Sequence, residues 1–174
     1  MNSFITTLYP SVDLINCAVF KDINADETIY FSKPFLKAFE VSNPQIEFKY
    51  ISIADADKNT VALALVQVIS LNVEGMLKNI KVAPFVRKGL GLLFCNEHIK
   101  IMFCGNVFLS GEHGISTSKN VSKKAVYSEI GTALEAVAAN TKAMHAIFIK
   151  DFKLASLVHT QSFLNFGYSE IKVE

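Results

Sequence analysis

The second half of the chain alternates between two hydrophobic periods, and few folds accept that order. Ile101–Leu109 is an apolar run of strand length. Between Ser122 and Asn140, residues Val126, Ile130, Leu134 and Val137 recur at spacings of four, four and three, which is one face of a helix. Met144–Ile149 is a continuous apolar run, the pattern of a strand buried on both faces. Leu154–Asn165 returns to helical spacing, with Leu154, Leu157, Val158, Gln161 and Leu164 along a stripe. Gly167 can adopt the left-handed conformation that closes such a helix, and Tyr168–Val173 reads as a last short strand. Strands separated by helices pair in parallel through crossovers.

The first half adds an antiparallel element. Phe48–Ala54 and Val61–Ser70 are apolar runs on either side of the polar turn Asp55–Thr60, a hairpin pattern. Upstream, Ser32-Lys-Pro-Phe announces a helix. The Ser32 hydroxyl is suited to accept from a first-turn amide, and Pro34 has no N–H to leave unbonded there. Phe35, Leu36 and Phe39 form its apolar face, and Asn43-Pro44 stops it. Asn16–Phe20 is the best candidate for a first strand. Gly131, inside the long helix, costs about 1 kcal/mol relative to alanine and marks a close approach of backbones. The expected class is α/β, a mixed α+β sheet with helices on both faces, spread over one domain of residues 1–174.

Charge and cysteine usage narrow the function classes. Seventeen basic against sixteen acidic residues give a net charge of +1, which argues against a broad nucleic-acid surface. No apolar run reaches the ~18–20 residues of a bilayer-spanning helix. Met1–Pro10 has neither the basic nor the long apolar region of a secretory signal, so the expected location is the cytoplasm. Cys17, Cys95 and Cys104 are widely spaced, with no CxxC or Cys/His ligand pattern, so no metal is expected. All three read as small buried hydrophobes in a reducing compartment. His98, His145 and His159 read as structural. Residues 72–99 allow two readings. Met76, Leu77 and Ile80 with Lys78, Lys81, Arg87 and Lys88 make an amphipathic basic segment that could touch a membrane surface or partner, or an insertion that packs on the core.

Within Ile101–Tyr168 the motifs form a set. A strand runs into Cys-Gly-Asn-Val-Phe-Leu, then come Ser-Gly-Glu-His-Gly, a long helix, His145-Ala-Ile-Phe-Ile, a shorter helix and Phe-Gly-Tyr. With the order of elements over residues 30–174, this set resembles the GNAT (acyl-CoA N-acyltransferase) superfamily. The nearer likeness is to its FemAB-like, peptidoglycan-biosynthesis-type members. The resemblance implies a GNAT-like fold in which two parallel central strands splay apart around acyl-CoA. It also implies a sheet lacking its last strand after Glu174. The chain would then be the N-terminal half of a longer two-domain protein, or a second copy in a homodimer would complete the sheet edge.

In that family a Gly-rich turn after the first splayed strand, with the helix N-terminus behind it, holds the pyrophosphate. If Ile101–Leu109 is that strand, Gly105, Ser110, Gly111 and Gly114 lie in the turn. An alternative register, Val82 to Gly91, places Arg87, Gly89 and Gly91 there. The family's turn reads Arg or Gln, two residues, Gly, one residue, then Gly or Ala. The first register is longer than this and carries Glu112, and the second is one residue short. Acyl transfer to an amine needs a base for the ammonium proton and donors for the oxyanion. His113, whose side chain type has an unperturbed pKa near 6.5, is the candidate base, with Glu112 beside it. Tyr168 is also close to the presumed gap but reads as a packed strand aromatic. The implied function is transfer of an acyl or aminoacyl group to an amine acceptor, with acyl-CoA such as acetyl-CoA as co-substrate. Departure from the turn pattern keeps a second class open, a non-catalytic module docking a partner domain or membrane surface through residues 76–94.

Overall fold

The structure, a computed structural model, describes residues 4–23, 28–72 and 98–172. The elements in chain order are β1 (Ile5–Tyr9), α1 (Cys17–Asp22), α2 (Lys33–Ser42), β2 (Ile46–Ala54) and β3 (Thr60–Asn72). They continue with β4 (His98–Cys104), β5 (Ile115–Thr117), α3 (Lys123–Ala139), β6 (Met144–Ile149) and α4 (Leu157–Leu164). The strands form one mixed sheet in the order β1-β2-β3-β4-β6, with β5 alongside β3. β4 and β6 run parallel, and every other pair is antiparallel.

Local chemistry explains most boundaries. The β2–β3 turn has no Asn-Gly, and the Asp55 carboxylate closes it by accepting from the amides of Asp57 (3.0 Å) and Asn59 (2.9 Å). α3 starts at Ser122, whose hydroxyl accepts from the Ala125 amide at 3.5 Å, and ends at Asn140. Sheet side chains alternate between two cores. Ile51, Ala64, Val66, Val68 and Met102 meet Val126, Ile130, Leu134 and Val137 of α3. Phe48, Tyr50, Leu63 and Leu65 meet α1 and α2 on the opposite face.

Several expectations change. Asn16–Phe20 is not a strand. The Asn16 side chain caps α1 by accepting from the Ala18 amide (2.9 Å), and Val19 and Phe20 become one buried face of that helix. Ser32 does precede α2, yet its hydroxyl donates to the Ile29 carbonyl (2.7 Å) instead of accepting from the helix. β4 stops at Cys104 instead of running to Leu109. β6 is not buried on both faces: among the described residues it is the last strand of the sheet, and His145 and Phe148 are exposed. Leu154, Val158 and Leu164 of the predicted stripe face outward, and α4 buries Ser162 and Phe163 instead. Over 168–172 no strand forms. Gly131 does mark a close approach, but of a ring. A Cβ there would lie 2.6 Å from the Phe166 side chain.

The thiols also divide. Cys104 is fully buried, and burial pushes its pKa up to about 12. Cys17 is exposed at the start of α1, contrary to the expectation that it is core. Cys17 is therefore expected to react with iodoacetamide in the native protein, and Cys104 only after denaturant is added. Peptide mapping that finds Cys104 alkylated as fast as Cys17 would contradict this burial. Residues 73–97, with Cys95, the 76–94 docking segment and the alternative register of Arg87, Gly89 and Gly91, lie outside the described residues.

Candidate functional site

The predicted site residues that the structure describes, Gly105, Ser110, Gly111, Glu112, His113 and Gly114, fall on one excursion of the chain at the carboxyl ends of the parallel strands. In open α/β sheets this is where ligands bind. β3 pairs with β4 from Asn72 to Val66, and then with β5 from Ala64 to Ala62. β4 and β5 are thus two halves of one line of strand, interrupted by residues 105–114. At the break, the Gly105 amide donates to the Leu65 carbonyl, and the Leu65 amide donates to the Gly114 carbonyl, both at 2.9 Å. The excursion leaves and returns at one point. Only glycine permits this neck, since a Cβ on Gly114 would lie 2.9 Å from the Gly105 Cα.

Lys150, the first residue after β6, holds the excursion closed. Its ammonium donates to the carbonyls of Asn106 (2.9 Å) and Leu109 (2.8 Å) and pairs with Asp151. Its amide donates to the Cys104 carbonyl at 3.2 Å, so β4 and β6 remain joined to their ends. Beyond that point the two chains part. One makes the excursion and rejoins β3 as β5. The other turns at Asp151 towards Phe152, whose ring packs on Tyr127 of α3 at a centroid distance of 5.8 Å. The divergence that the resemblance implies therefore does not occur within residues 101–104, which stay paired with β6.

Glu112 and His113 are adjacent in sequence but point to different layers. Glu112 accepts from the Ser156 hydroxyl (2.9 Å), just ahead of α4; burial, and then the Glu112 charge, keep the hydroxyl of the buried Tyr127 protonated. His113 lies against Tyr30, ring centroids 4.1 Å apart, next to α2. Gly111 brings the chain against the His113 ring. Ser110 is exposed at the tip, and Gly105 and Gly114 form the neck. Tyr168 packs on Phe163, and its buried hydroxyl is kept protonated by burial and then by Glu135, as expected of a structural aromatic.

Three residues of this region were not predicted from sequence. Lys150 is one and Ser156 another. Gln67 is the third. It is fully buried, its side-chain carbonyl accepts from the Val107 amide at 2.8 Å, and its Nε2 has no partner. A lone Gln at the end of the run Val61–Val68 is the one signal that could have found it. Among the described residues, no cluster of three His, Cys, Asp or Glu side chains is placed to hold a metal, and no helix is long and apolar enough to cross a membrane.

Comparison with protein-family models, with curated proteins and with solved structures finds no match to this chain.

Proposed function

We propose that the chain is an N-acyltransferase domain of the GNAT type, moving an acyl or aminoacyl group from a thioester donor to an amine. The observation that supports this reading is the parallel β4–β6 pair with residues 105–114 at its carboxyl end. That arrangement follows the order strand, glycine-rich turn, helix, strand. In this reading His113 takes the ammonium proton of the acceptor, the freed amine attacks the thioester carbonyl, and the thiolate leaves with a proton from solvent. Glu112, engaged by Ser156, positions the excursion and is not the base. Gly105, Ser110, Gly111 and Gly114 give the donor its close approach to backbone.

Calorimetric titration with acetyl-CoA and longer acyl-CoAs tests the reading. Binding should raise stability by about 2.7 kcal/mol at a hundred times the dissociation constant. His113→Gln should abolish turnover while leaving that binding intact. No heat and no thermal shift at millimolar ligand would overturn the proposal.

A second reading, a non-catalytic module whose sheet is completed by a second domain or a second copy, is favoured by the outer edge of β6, which pairs with no other strand among the described residues. An unpaired strand edge invites association. A groove of about 1030 Å³ runs along this edge, lined by Phe148, Leu154, Leu157, Leu164 and Ile171.

A further inference from the structure

The sheet is wider than α3 can cover. On the α3 face, β1 and β2 carry Leu8 and Ile51, which are cross-strand partners, and Leu8 remains 47% exposed. α3 faces this strip with Val137 and the small side chain of Ala136. The space left between them is a groove of about 430 Å³. Small-molecule sites span ~300–1,000 Å³.

One end of this groove is basic. Lys49 from β2, Lys100 from β4 and Lys142 after α3 reach it from three separate elements. Among the described residues the only carboxylate in the lining is Glu47, already paired with Lys49 at 2.6 Å. Lys100 and Lys142 have no carboxylate partner among the described residues. Carbonyls in the last turn of α3, the end of the helix that disfavours an anion, already accept hydrogen bonds, which leaves the binding of an anionic head to the lysines. Ala136 accepts from the amide and side chain of Asn140, and Val137 from the Thr141 hydroxyl. An apolar trough thus ends in two uncompensated ammonium groups.

We propose that this groove binds an amphipathic carboxylate of fatty-acid type. Its carboxylate meets Lys100 and Lys142, and its hydrocarbon lies along Leu8, Ala133 and Ala136, above the buried Ile51 and Val137. Charge complementarity selects the head, and the exposed apolar surface of Leu8 and the α3 alanines selects the tail. The groove is at the amino ends of β4 and β6, where Lys100 pairs with Met144, and the excursion 105–114 is at their carboxyl ends. The two proposals therefore stand or fall separately.

The experiment titrates the full chain calorimetrically with decanoate and with decan-1-ol. Decanoate should bind saturably, one to one, with decan-1-ol at least about tenfold weaker. Lys100→Gln with Lys142→Gln should weaken decanoate by about tenfold or more and leave decan-1-ol unchanged. Ala136→Leu, at an exposed helix position, should fill the trough and remove binding of both while leaving the circular dichroism spectrum and Tm at the wild-type values. The proposal is overturned by no saturable decanoate heat, by equal affinity for the alcohol, or by folded variants that bind decanoate as the wild type does.

Discussion

Phe163→Ala is expected to cost about 3–5 kcal/mol, the range for emptying a buried aromatic site. Phe163 is 4% exposed, and its ring stacks on Tyr127 at 5.4 Å, with Phe152 and Tyr168 at 6.2 and 6.1 Å. It is the side chain that fastens α4 to α3. Leu154→Ser and Val158→Ser, at positions 86% and 67% exposed, should change stability by no more than about 0.5 kcal/mol. Urea denaturation of the three variants decides between two orientations of α4. Heavy losses at Leu154 and Val158 with little at Phe163 would mean that the helix presents the stripe of its sequence pattern to the core.

Gly114→Ala should destabilise by about 2–4 kcal/mol, combining overpacking with strain on two hydrogen bonds. The new methyl would meet the Gly105 Cα at 2.9 Å and the Cys104 carbonyl oxygen at 3.0 Å. Both are backbone atoms, so no rotamer change relieves the contact. The bonds joining Leu65 to Gly105 and Gly114 must stretch, and residues 105–114 lose their fixed base. Ser110→Ala, at the exposed tip, should be nearly silent. A Gly114→Ala protein with the wild-type urea midpoint would show that the neck is not closed.

The fold was legible in the sequence where a period was long or a turn chemistry unambiguous. α3 follows its four apolar positions from cap to cap, and the β2–β3 hairpin and the β4–β6 crossover follow their apolar runs. Short or marginal elements were not legible. In Asn16–Phe20 the apolar content suits a strand, but the Asn16 cap decides for helix. In α4 the longest stripe lost to a single aromatic, because packing of Phe163 against Tyr127 and Phe152 outweighs the burial of Leu154 and Val158. The exposure of β6 depends on its place at the sheet edge, which no local pattern encodes. At the candidate site the sequence marks the glycines and the Glu112-His113 pair. It does not show that these neighbours reach opposite layers, since that depends on partners at Ser156 and Tyr30, far away in the chain.

Lys150 carries a consequence for how the molecule breathes. Its amide is the last rung between β6 and β4, and its ammonium is the clasp on Asn106 and Leu109. Peeling β6 from the edge must therefore release the excursion in the same event. The two segments form one cooperative opening unit, whose amides exchange with solvent together. A molecule that takes up β6 in a new strand pairing would reshape the glycine neck at the same time, without touching it.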